Sequence, residues 1–63
     1  MATVKIQVAG GNQQDKEATT VGEARTQVGA DGYQASVNGE PADDNYQLRR
    51  HDFVSFSKPV KAG

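Results

Sequence analysis

Few side chains in this sequence are equipped for chemistry, and they are scattered. Its one histidine, His51, lies in the run Arg49-Arg50-His51-Asp52. A zinc site draws three or four ligands chiefly from His, Cys and carboxylates. With a single His and no Cys, no thiolate or multi-histidine set can be completed, and His51 reads as an exposed turn residue. Arg49 and Arg50 carry the forked donors that suit phosphate or carboxylate groups. Asp43, Asp44 and Asp52 stand close by in sequence, so the plainer expectation is a solvated loop whose charges offset one another. Asp31, Asp43 and Asp44 lack the D-x-[DN]-x-[DN]-G spacing of a calcium loop. Gly10-Gly11 lacks the G-x-x-x-x-G-K-[ST] run that cradles phosphates. Tyr33, Tyr46 and Phe53 are the aromatics best suited to anchor a protein partner, with filling a thin core as the competing expectation.

The chain behind these residues is short: 63 residues, with fourteen apolar side chains larger than alanine. A chain of this size buries only about 60% of the surface it exposes unfolded. Binding pockets of about 300 Å³ or more need walls that it cannot spare, which excludes a large enclosed active site. Function is therefore expected from the surface, from an end of the chain, or through a larger partner. Seven Lys and Arg against eight Asp and Glu argue against a general nucleic-acid binder, which needs a basic footprint. The absence of cysteine excludes disulfides and thiol nucleophiles. No apolar run approaches the roughly 18 residues of a membrane span. Met1-Ala2-Thr3 leads straight into a patterned segment rather than a signal peptide. The expected compartment is the cytoplasm, with no membrane partner and no cofactor.

Hydrophobic periodicity supplies the elements. Thr3 to Val8 alternates strictly, with Val4, Ile6 and Val8 on one face, as a half-buried strand requires. Ala9-Gly10-Gly11-Asn12 breaks it as a hairpin turn, with the two glycines expected to take the positive φ values. A polar second strand is expected to return over Gln13 to Thr19. Thr20-Val21-Gly22-Glu23 has the form of a capping box. Val21, Ala24 and Val28 then share a helical face, and Gly29 is placed to end the helix. Tyr33 to Val37 alternates again, and Asn38-Gly39 is a strong type I′ hairpin signal into a short edge strand at Glu40-Pro41-Ala42. Asp43 to Asp52 is a polar connection anchored by Tyr46 and Leu48, and Phe53 to Ser57 is the last strand, with Val54 and Phe56 inward. The fold class is α+β: a mixed sheet of four to five strands in the order ββαββ, with one helix across one face. Residues 1–57 form the domain and residues 58–63 a C-terminal tail.

The strand order, the Thr-capped helix and the stretch Val37-Asn38-Gly39-Glu40-Pro41 together resemble the β-grasp, ubiquitin-like sulfur-carrier proteins of thiamine and molybdopterin synthesis. Leu48 and the Asp52-Phe53-Val54-Ser55-Phe56 run match that family's spacing, and Gly63 closes the chain. The resemblance covers most of the chain and is most specific from Val37 to Phe56. It implies a carrier that is not itself an enzyme. An adenylating partner joins the C-terminal glycine carboxylate to AMP, and a sulfur donor opens the acyl-adenylate to a thiocarboxylate. The residues implied are Gly63, which would carry the sulfur, and Ala62 beside it. The family ends in Gly-Gly, whereas this chain ends Lys61-Ala62-Gly63. If the enzyme channel holds that position in a glycine-only conformation, this tail is not adenylated; if the channel is merely narrow, one methyl costs about 1–3 kcal/mol by analogy with pocket discrimination. The alternative is a ubiquitin-like interaction module with an inert tail.

Overall fold

The computed structural model describes residues 2–58. Its elements are β1 (Ala2–Val8), β2 (Gln14–Ala18), α1 (Val21–Val28), β3 (Gln34–Val37), β4 (Glu40–Pro41) and β5 (Phe53–Ser57). The five strands form one sheet in the order β2-β1-β5-β3-β4. β1 and β5 run parallel, while β1–β2, β3–β5 and β3–β4 are antiparallel. The molecule is thus the α+β arrangement that the periodicity implies, a mixed sheet with one helix packed across it, and it is consistent with the β-grasp-like build that the resemblance implies.

The burial follows the alternation. Val4 and Ile6 of β1, Val54 and Phe56 of β5, and Ala35 and Val37 of β3 are buried together with Val21 and Ala24 of α1. The period of two on the strands and the three-residue step on the helix turn these side chains toward one layer. Leu48 joins them from the connection before β5, held by its N–H to the Thr19 carbonyl at 2.8 Å. Tyr46, the other expected anchor of that connection, is 44% exposed. It serves through its backbone instead, its carbonyl accepting the Val21 N–H at 3.1 Å.

Two local expectations shift by one residue. The positive φ values of the β1–β2 turn fall on Ala9 and Gly10, because the closing bond runs from Gly11 N–H to the Val8 carbonyl at 2.7 Å. At the helix start, Thr20 Oγ1 accepts the Glu23 N–H as a capping residue should, but Glu23 Oε1 accepts from Thr19 rather than from Thr20. Gly22, unfavourable inside a helix by propensity, lets the following connection come close. Its N–H donates to the Asp44 carbonyl at 3.0 Å, and a Cβ there would lie 3.3 Å from that same oxygen.

Gly29 ends α1 at φ +67°, and Ala30 N–H reaches back to the Arg25 carbonyl at 3.0 Å, the closure of a Schellman motif. A Cβ at Gly29 meets nothing within 4 Å, so its cost is conformational alone. Gly29→Ala is expected to lower stability by about 1 kcal/mol in urea denaturation. An unchanged midpoint would show that the left-handed turn is not needed.

Candidate functional site

The segments that carry the family resemblance meet at the start of β5. Asn38 takes φ +53° and Gly39 φ +87°, as a type I′ turn requires. The Asn38 side chain points its functional groups back to the next strand. Its Oδ1 accepts the Phe53 N–H at 3.0 Å, and its Nδ2 donates to Asp52 Oδ1 at 3.0 Å. Its backbone N–H donates to the Phe53 carbonyl at 2.8 Å. Asp52 Oδ2 in turn accepts the Arg49 N–H at 2.8 Å, closing the Arg49–Asp52 turn. Asn38 and Asp52, fourteen residues apart, therefore form one clamp that fixes where β5 begins.

Arg25, which no sequence motif singles out, is the most connected polar side chain described. Its Nε and Nη2 reach Asp44 Oδ1 at 3.0 and 2.9 Å, and its Nη1 donates to the carbonyls of Ala30 and Tyr33. Its guanidinium carbon lies 5.3 Å from the centroid of the Phe56 ring. The side chain is 17% exposed, against 58% for that of Asp44. Its position in the last turn of α1, where a cation suits the helix dipole, was the available signal. Beside it, Gln34, Ala35, Ser36, Pro41 and Ala42 complete a surface recess of about 350 Å³. Four of the five guanidinium donors are already engaged by the fold, which leaves little there to hold an anion.

The three aromatics expected at a partner surface are not gathered into one patch. Tyr33 follows the end of α1 and packs against the core. Tyr46 lies at the other end of α1, through its bond to Val21. Phe53 is half-buried and alternates with the inward Val54, which places it on the sheet face opposite the helix. There it pairs in register with Lys5 of β1, and the neighbouring open-face row is Gln7, Ser55, Ser36 and Pro41. Ala62 and Gly63 lie outside the described residues.

The basic turn departs from the expected charge balance. Arg49, Arg50 and His51 are all exposed. Asp44 is held by Arg25 and Asp52 by Asn38, and the only ion pair among the described residues is Arg25–Asp44. His51 adopts φ +72°, and its N–H donates to the Thr3 carbonyl at 2.9 Å, so the turn is braced against β1. Among the described residues no group of three or more His, Cys, Asp or Glu is arranged to hold a metal, and no helix is long and apolar enough to cross a membrane. No family model, curated protein or solved structure matches the chain.

Proposed function

We propose that this chain is a carrier of the sulfur-carrier type, its Gly63 carboxylate activated by a larger adenylating enzyme in the cytoplasm. The observation that carries this reading is the place of β5. It lies between β1 and β3, with Val54 and Phe56 fully buried, and it is the last strand of the described residues. A segment rooted on a central strand can be presented to a partner while the domain stays rigid. In the reaction, the carboxylate oxygen attacks the α-phosphorus of ATP and pyrophosphate leaves. A sulfide equivalent then attacks the acyl carbon and AMP leaves, giving a thiocarboxylate. The small protein supplies the reacting carboxyl group and a docking surface, and the partner supplies the catalysis.

A second reading, an interaction module with an inert tail, is favoured by the Arg49-Arg50-His51 turn, whose side chains stand exposed with no ion pair among the described residues. Removing residues 61–63 separates the two. For a carrier, the truncated chain loses ATP–pyrophosphate exchange with a sulfur-carrier adenylating enzyme while the full chain supports it. Failure of the full chain to support exchange, alongside a carrier that does, would defeat the carrier reading. Retained partner binding after truncation would then favour the module.

A further inference from the structure

We propose that Asn38 is a self-modification site held in check by the fold, and that its conversion to a carboxylate would break the clamp between the β3–β4 turn and β5. The chemistry needs an asparagine followed by an unhindered backbone nitrogen, and Gly39 supplies it. That nitrogen, losing its proton, attacks Asn38 Cγ. The new C–N bond closes a five-membered succinimide as the Cγ–Nδ2 bond breaks and ammonia leaves. Water then opens either ring carbonyl to aspartate or isoaspartate, with no change of oxidation state. Both Asn38 and Gly39 are exposed, so water has access.

In the folded chain the amide is not free to react. Oδ1 is held by the Phe53 N–H and Nδ2 by Asp52 Oδ1, each at 3.0 Å. Attack therefore requires the clamp to open, and the reaction rate follows the population of that open state. The product differs from the reactant at the worst place. Where Nδ2 donated to Asp52, a carboxylate oxygen would face a carboxylate oxygen. Of the surrounding charges, Glu40 follows the turn on β4, Lys5 neighbours Phe53 on β1, and Arg49, Arg50 and His51 lie on the turn closed by Asp52. None of these basic side chains is paired with Asp52, so among the described residues no salt bridge offsets the repulsion. An isoaspartate would also lengthen the main chain by one atom within a two-residue turn.

The test follows ammonia release and the accompanying mass change in the intact protein, at neutral pH, in buffer and in unfolding urea. The folded chain is expected to react at least about tenfold more slowly, because protection equals the rarity of local opening. Equal rates in the two conditions would overturn the protection. Asn38→Asp tests the consequence. Two carboxylates sharing the site hold one proton more tightly than in the unfolded chain, so the stability of the variant is kept at low pH and lost as pH rises through that raised value. Its deficit in melting temperature against the parent is expected to be larger at neutral pH than near pH ~4, the ordinary aspartate range. An equal deficit at both would overturn the like-charge account. If the variant does not fold at neutral pH, its recovery of structure on acidification gives the same readout.

Discussion

Phe56→Ala is expected to leave most of the chain unfolded in buffer at room temperature. Phe56 is fully buried on the central strand, packed within a cluster that includes Val4, Ile6, Val21 and Val54. Truncating a buried phenylalanine costs about 3–5 kcal/mol, of which part is the cavity left behind. A domain of this length has about 3–9 kcal/mol in total at ordinary stability per residue. The ring also seats the Arg25 guanidinium at 5.3 Å, so the substitution loosens the connection that Arg25 holds. Circular dichroism and urea titration decide the matter, with Phe56→Leu as the milder companion expected to stay folded at a lowered midpoint. A Phe56→Ala protein whose midpoint is close to the parent's would mean that the core is not organised on β5.

Arg25→Met is expected to cost about 2–4 kcal/mol, second only to loss of the ring. Methionine keeps much of the apolar stem and removes the fork, leaving the Ala30 and Tyr33 carbonyls without their charged donor. Hydrogen bonds to charged groups are worth about 1.5–3 kcal/mol; the Ala30 carbonyl keeps the Tyr33 N–H, so the desolvation of a lost partner falls on the part-buried Tyr33 carbonyl. The ion pair alone is the smaller part, because Asp44 is more than half exposed. Asp44→Asn should therefore cost less than about 1 kcal/mol. Arg25→Lys should fall between, keeping the charge and losing the geometry. The account requires this order in urea midpoints. Asp44→Asn as damaging as Arg25→Met would place the effect in the ion pair and contradict it.

These two residues also mark what could and could not be read from the chain. Phe56 was legible as an inward residue, since it stands two residues from Val54, on the same face of a β-branched and aromatic run closed by Pro59. The alternation of β1 and the Asn38-Gly39 turn were legible for the same reason: local patterns with a fixed geometric period. Arg25 was not, because its partners lie on the Asp44 loop and beyond the helix end, and no local period encodes such contacts. Gly22, unfavourable in a helix by propensity, has its reason only in the fold, where Asp44 lies against it. The shifts at Ala9 and Thr19 are of one residue and reflect which N–H closes the turn or the cap, a choice that composition does not fix. Asn38 and Asp52 were each placed by the resemblance, but their meeting is a product of the sheet order, which puts β5 beside β3.

At the candidate site, legibility stopped at the elements. Tyr33, Tyr46 and Phe53 were chosen by residue type, and type does not say which face of a sheet or which end of a helix a ring occupies. The basic turn was expected to be neutralised by its acidic neighbours because proximity in sequence was all that could be weighed. In the fold Asp44 serves Arg25 and Asp52 serves Asn38 instead.

The carrier proposal is tested most directly by weighing the protein after incubation with a sulfur-carrier adenylating enzyme, ATP and sulfide. The expected result is the mass gain of one oxygen-to-sulfur exchange, located at Gly63 by fragmentation and absent without ATP. No gain in this chain, while a known carrier in a parallel reaction is converted, would contradict the proposal.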